Sequence, residues 1–286
     1  MSTTDVSLAV QGLNIAVRIS RGRGRPVLML HGSGASSRVF EHQFEGELGE
    51  TFRLVAPDLP GHGRSDDSPD PAADYTVAGL ARIVDAVMEQ LEVEAPAVYG
   101  WSLGGHVAIQ LAATRGDIAG MALTGTPPVG PGAIASLRGF HARWDMLLAS
   151  KVRFSPADAE RFLRLCYGHS GTADVLADIV RSDGRLRQQF LRSLMRGDGV
   201  DQKHVVETAV FPVAMIDGEH DPIVRRSYVD HLAYGHLWRG RCHLVAGAGH
   251  APFWEQPVAF NQLLHRFVRD LALRPAGGRA SVASRA

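Results

Sequence analysis

Three glycine-bearing stretches of this sequence hold side chains suited to acyl chemistry. Gly100-Trp101-Ser102-Leu103-Gly104 fits the pattern G-x-S-x-G. It stands between an apolar run, Ala95 to Tyr99, and a helix-spaced set, Val107, Ala108, Leu111 and Ala112. A serine at such a junction sits on a sharp strand-to-helix turn that exposes its hydroxyl. Glycines are needed there because a side chain would strike the neighbouring strand or helix. The N-terminus of the following helix favours the negative charge that develops during acyl transfer. Ser102 is therefore the candidate nucleophile.

A serine hydroxyl needs a general base at neutral pH. Gly247-Ala-Gly-His250-Ala-Pro-Phe253 is a glycine-rich loop following the final strand signal, and its histidine is free to swing over the serine. The base in turn needs a carboxylate to fix its tautomer and stabilise the imidazolium. Asp217-Gly-Glu-His-Asp221-Pro222 follows the penultimate strand signal. Asp221 is the choice within it, because the turn after Gly218 carries it toward the histidine loop. Asp217 reads as a turn or strand-end residue and Glu219 as a solvated one. A tetrahedral intermediate also needs preorganised donors. The backbone amides of Leu103, just after the nucleophile, and Ser33, in His31-Gly32-Ser33-Gly34, are the candidates. An ordinary glycine turn is the structural alternative for the second stretch.

Other motifs read as support. Asp58-Leu-Pro-Gly-His-Gly-Arg-Ser65 is expected to be a tight loop bracing the site, with His31 and His62 stabilising their glycine loops. Trp101 and His106 are close enough to the serine to reach a pocket, although packing is the plainer use of both. Gly32, Trp101, Phe140, Trp144, Phe162 and Tyr167 are the candidates for substrate contact. Helix aromatics are ordinarily packed inside their own helical layer, with one or two facing a pocket.

These residues must be positioned by a scaffold, and the pattern of elements names one. Val6 to Val10 and Leu13 to Ile19 alternate around Gln11-Gly12 and read as a hairpin. Continuous apolar runs at 26–30, 52–56, 95–99, 118–123, 212–216 and 243–245 suit strands buried on both faces. Amphipathic helices alternate with them, one starting at the N-cap Thr76 and a closing one at 258–273. This alternation predicts an α/β fold with a mostly parallel sheet of eight strands flanked by helices. The alternation breaks at 129–210, where helical patterns occupy 134–148, 156–166, 173–179 and 186–195. That block reads as a helical lid, leaving 1–128 and 211–273 as the core and 274–286 as a disordered tail.

Composition narrows the classes. The 286 residues carry 30 Lys+Arg and 30 Asp+Glu, so the chain has no electrostatic footprint for nucleic acid or an anionic membrane. Cys166 and Cys242, the 2 cysteines, make no disulfide framework and point to a reducing, cytoplasmic compartment. The first ten residues lack the pattern of a signal peptide, and no window is apolar enough to span a membrane. Neither cysteine belongs to a ligand cluster, so no metal or other cofactor is expected.

The motifs together resemble the α/β-hydrolase family from about residue 6 to 273. The order serine, aspartate, histidine along the chain fits that family. A narrower resemblance joins Asp58-Leu-Pro-Gly-His-Gly, Gly100-Trp-Ser-Leu-Gly-Gly-His106, Thr124-Gly-Thr-Pro-Pro-Val129, Asp183-Gly-Arg185, Gly235-His-Leu-Trp-Arg-Gly240 and Gly249-His-Ala-Pro-Phe253. This set is similar to the serine-dependent N-acyl homoserine lactone hydrolases, which are quorum-quenching enzymes. Members of that group carry Asn at the position of Ser33 and Glu at that of Asp221. The resemblance implies a small-molecule acyl lactone as substrate and an acyl-enzyme mechanism. Two other readings stand beside it: a carboxylesterase of small or medium acyl esters, resembling the pimeloyl-ester esterases, and a ligand receptor on a hydrolase scaffold.

Overall fold

The computed structural model describes residues 3–142 and 144–272, without the side chains of Trp144, Met146 and Ala272. The expected disordered tail at 274–286 lies outside the described residues.

Eight strands form one sheet: β1 Thr4–Val10, β2 Leu13–Ile19, β3 Gly24–Leu30, β4 Phe52–Pro57, β5 Ala97–Trp101, β6 Gly120–Thr124, β7 Val213–Gly218 and β8 His243–Val245. Their order is β1-β2-β4-β3-β5-β6-β7-β8. The hairpin β1–β2 is antiparallel, as is β2 against β4, and every later pairing is parallel. Gln11 and Gly12 both take positive φ, 50° and 84°, which matches the twist a two-residue hairpin turn needs. The expected sheet and its mostly parallel sense are thus observed.

The central strands are buried throughout, β5 and β6 at every residue, because helices cover both faces. The helices Val77–Gln90, Leu103–Thr114 and Pro257–Ala272 do most of the covering. Thr76 caps the first of these by accepting from the Gly79 amide at 2.9 Å. A parallel sheet gathers the carboxyl ends of its strands on one edge. The segments bearing Ser33, Ser102, Thr124, Asp221 and His250 all leave the sheet there, from β3, β5, β6, β7 and β8.

Between β6 and β7 the chain departs into helices Ala133–Leu137, Pro156–Tyr167, Ala173–Arg181, Gly184–Arg196 and Gln202–Thr208, with a 3-10 helix Trp144–Ser150. One expectation fails here. The helical pattern at 134–148 is not one helix. It breaks at Gly139-Phe140, where Phe140 pairs with Val224 as an isolated antiparallel bridge. His141 N donates to Ile223 O and Arg225 N to Gly139 O, each at 2.8 Å, so tertiary hydrogen bonds replace helical ones. The helix Gln202–Thr208 was not expected. It is short and polar, and its N-cap Asp201, accepting from His204 N at 3.1 Å, is its main local signal.

Polar contacts tie this insertion to the sheet. The Asp183 carboxylate accepts from the buried Tyr75 hydroxyl at 2.8 Å, and Asp183 N donates to Gly61 O at 2.8 Å. Ser36 Oγ donates to Asp178 at 2.6 Å. Within the insertion, Gly184 approaches the Val152 carbonyl so closely that no Cβ fits between them. The Asp183-Gly-Arg185 motif is therefore a joint between insertion and sheet.

Candidate active site

Ser102 has φ 53° and ψ −119°, a left-handed conformation rare for a residue with a side chain. Such strain persists only when the surroundings hold it. Here Ser102 N donates to Thr124 O at 2.9 Å, and Thr126 Oγ1 donates to Ser102 O at 3.0 Å. A Cβ on Gly100 would stand 2.6 Å from Gly104 O, and one on Gly104 would collide with the Leu30 carbonyl. The two motif glycines thus let strand, turn and helix pack without a gap. The Thr124-Gly-Thr-Pro-Pro128 segment is legible in the same way: its two threonines fasten the turn, Thr124 Oγ1 donating to Ile216 O at 2.7 Å.

His250 is buried at 1% exposure, and its Nδ1 lies 2.8 Å from Asp221 Oδ2. The other carboxylate oxygen of Asp221 accepts from Ile223 N at 2.8 Å and Val224 N at 3.1 Å. Burial alone would raise the Asp221 carboxyl. The charge of His250 and these hydrogen bonds outweigh it and hold the group below the usual carboxylate range. The imidazole packs on Gly125, where a Cβ would meet Cε1 at 2.5 Å, and the His250 carbonyl accepts from Trp101 Nε1 at 2.9 Å. His250 Nε2 is buried and has no hydrogen-bond partner, so no bond joins it to the Ser102 hydroxyl in this structure. Histidine–serine pairs often tighten only once substrate is bound.

A second carboxylate stands close by. Asp217 ends β7, and its Oδ1 accepts from Gly125 N at 2.7 Å. Burial pushes its carboxyl up to about 7. Two acids near one imidazole are thereby set apart, Asp221 ionised and Asp217 largely protonated at mildly acid pH. The reading of Asp217 as a strand-end residue is correct, but its burial was not visible in the sequence.

The bracing loop forms as expected. Asp58 accepts from Ser37 N at 2.7 Å and Arg64 N at 2.9 Å. His31 Nε2 accepts from Leu59 N at 2.9 Å, and His62 Nε2 accepts from Gly34 N at 3.0 Å. Burial lowers both imidazoles, so each serves as a neutral acceptor that shapes the loop carrying Ser33.

Ser102 opens into a cavity of about 510 Å³ under the insertion. Ser33 and Leu103, the candidate oxyanion donors, and Trp101, Phe140 and Phe162, candidates for substrate contact, line it. Two expected contacts fail. Tyr167 is buried behind Trp101, ring centroids 5.4 Å apart, and does not line the cavity. Gly32 is also absent from the lining, because the Trp101 ring fills the space beside it: a Cβ there would lie 2.8 Å from Trp101 Cε3. The Trp144 side chain lies outside what is described. His106, Cys166, Arg187, Phe190 and Arg225 are among the other residues that line it. Arg187 had no distinguishing signal in sequence. It is nearly fully buried, donates to Lys151 O at 3.0 Å and Ser182 Oγ at 2.7 Å, and stacks 3.9 Å from the Phe154 ring centroid. Burial draws its guanidinium down to about 10.

Residues 27–263 match the profile of the alpha/beta hydrolase family. The chain belongs to that family. The α/β-hydrolase chain is similar to crystal structures of the N-acyl homoserine lactonase AidH. With a mutant complexed with N-hexanoyl homoserine it shares 39% identity and a TM-score of 0.93, covering 96% of this chain and 99% of that one. With AidH complexed with N-butanoyl homoserine the values are 38%, 0.91, 96% and 99%. It is also 30% identical over 266 residues to a pimeloyl-[acyl-carrier protein] methyl ester esterase of Neisseria meningitidis, across 88% of this chain and 80% of that protein. Among the described residues, no helix is long and apolar enough to cross a membrane.

Proposed function

We propose that this α/β-hydrolase opens the lactone ring of N-acyl homoserine lactones through an acyl-enzyme, with residues 129–210 acting as its lid. One observation carries the reading: a serine held in left-handed backbone at a helix N-terminus opens into a cavity lined mainly by apolar side chains. Similarity to AidH over nearly the whole chain supports the choice of substrate.

In this reading Ser102 attacks the lactone carbonyl as His250 takes its proton, and Asp221 stabilises the imidazolium. The backbone amides of Ser33 and Leu103 receive the oxyanion. Collapse expels the ring oxygen, protonated by His250. The expelled alcohol stays tethered to the acyl group and can re-close the ring at high effective concentration. Water activated by the same histidine must therefore attack promptly. The released acid ionises at neutral pH, which pulls the opening to completion. The fatty acyl chain lies along the apolar lining, where each buried methylene contributes about 0.8 kcal/mol.

The test is ring opening of a panel of acyl homoserine lactones, followed by mass spectrometry beside p-nitrophenyl esters. Lactone opening with multiple turnovers, unaffected by chelator, is expected. Ester cleavage without lactone opening would favour a carboxylesterase, the reading to which the 30% identity with the pimeloyl esterase points. A single slow event per molecule would favour a receptor. A reducing cytoplasm fits the two free thiols of Cys166 and Cys242.

A further inference from the structure

His106 stands one helical turn beyond Ser102, its backbone N donating to Ser102 O at 3.3 Å. Helical side chains lean toward the helix N-terminus, which is the Ser102 end. The ring is buried at 3% exposure, lines the cavity, and lies between Phe140 and Phe190, with centroids 6.2 and 6.0 Å away. Its Nδ1 is 2.7 Å from the Oε1 of Gln202, a buried residue supplied by the insertion. With a carbonyl oxygen on that side, the proton sits on Nδ1 and Nε2 becomes a bare acceptor. Burial draws the imidazole down to about 4, so the ring is neutral at any ordinary working pH. Nε2 makes no hydrogen bond with a described residue, yet it is not among the side-chain atoms sealed from solvent without a partner. Its opening is therefore the cavity.

We infer that His106 Nε2 accepts a hydrogen bond from the substrate's acyl-amide N–H, making this residue the one that selects N-acyl lactones over amide-free lactones and esters. The inference rests on the lactonase reading and extends it. Three features support it. The amide nitrogen of an N-acyl homoserine lactone is two bonds from the carbonyl carbon that Ser102 attacks, and one helical turn is roughly 5.4 Å, so both contacts can form together. The flanking phenylalanines and the rest of the lining are largely apolar, so a substrate N–H that enters the cavity gives up solvation and gains from a built acceptor. Apolar lining cannot distinguish N–H from CH₂ sharply, whereas a built acceptor can. Gln202 is then a positioning residue: it reaches from the insertion to fix which ring nitrogen carries the proton.

The experiment compares kcat/KM for N-hexanoyl homoserine lactone with that for the lactone in which CH₂ replaces the amide N–H. An open-chain pair, N-hexanoylglycine methyl ester and its CH₂ analogue, is run beside it. The wild-type protein should prefer the N–H member of each pair by about tenfold, the scale of one well-formed neutral hydrogen bond in a dry site. His106→Phe should bring that ratio to about one, the N–H members losing about tenfold more than their CH₂ analogues. Gln202→Leu should erode the ratio by freeing the proton to move between Nδ1 and Nε2, since Gln202 itself does not line the cavity. Loss of both members together, at an unchanged ratio, would mean that His106 is structural and would overturn the inference. If only the open-chain pair is hydrolysed, the lactone reading falls, and the ratio in that pair still decides the role of His106. Hydrolysis of neither pair overturns both.

Discussion

The floor and the roof of the cavity are built on opposite principles. The floor is backbone held under tension. Ser102 is strained, Gly100 and Gly104 leave no room for a side chain, and the turn at Thr124-Gly125-Thr126 clasps the serine on one side and the imidazole on the other. The roof is side chain. Its inner surface is set by Phe162, Phe190 and Leu194 on helices and by Phe140 at the bridge to Val224, and polar staples at Asp178 and Asp183 join the insertion to the rest of the fold. A floor of this kind tolerates almost no displacement, since chemistry depends on sub-ångström placement. A roof of this kind can change what it admits while the chemistry beneath stays the same. With the proposed function a division of labour follows: reaction below, selection above.

Replacing Ser102, the proposed nucleophile, is the hardest blow to the floor. Ser102→Ala should lower kcat on the order of 10⁴-fold or more, measured against any accepted ester, with the thermal transition retained. Residual turnover near the wild-type rate would remove Ser102 from the chemistry.

Next in size is Gly125→Ala. The added Cβ would stand 2.5 Å from His250 Cε1, at a position whose φ of 60° already disfavours a side chain. The imidazole must move, and kcat should fall by on the order of 10²-fold with KM little changed. An unaffected kcat would show that the floor is softer than its packing implies.

A roof substitution should leave the opposite signature. Phe162→Ala enlarges the cavity near the Ser33 loop, since Phe162 packs against Gly34. KM for a hexanoyl substrate should rise roughly tenfold, while kcat for p-nitrophenyl acetate stays within about twofold. A matching fall in kcat for the short ester would blur the distinction between the two regions.

The smallest effect on activity belongs to Asp217, and it is read in stability. Its carboxyl is raised from 3.8 to about 7 by burial. The folded protein therefore holds a proton that the unfolded chain releases between those values. Stability from this group is full below pH 4 and is lost as pH rises through about 7. Asp217→Asn keeps an acceptor for Gly125 N and removes the proton. Its Tm should fall less than the wild type's between pH 5 and 8, by several degrees. Parallel Tm profiles would show that Asp217 does not titrate in that range.

The comparison also explains which parts were legible in the sequence. Floor residues announce themselves locally. Ser102 lies in a spaced glycine motif, His250 in a glycine loop, and His31, Asp58 and His62 in short loops whose backbone hydrogen bonds need those residue types. Roof residues do not. Tyr167 and Phe162 are both aromatic residues of the helix Pro156–Tyr167, yet only Phe162 reaches the cavity. Helical spacing gives a face but not what the face meets. The break at Gly139-Phe140 comes from hydrogen bonds to Ile223 and Arg225, more than eighty positions along the chain.

By itself the sequence determined the order of the strands, the helices that cover the sheet, the candidate reactive side chains and the fold family. Hydrophobic period and glycine spacing are local properties that survive without coordinates. Tertiary structure alone decided which aromatic residues face the cavity, that Asp217 is buried beside Asp221, and that Gln202 fixes the proton on His106. Each of these depends on contacts between distant segments, where burial and hydrogen bonding set charge state and exposure, and no local pattern encodes them.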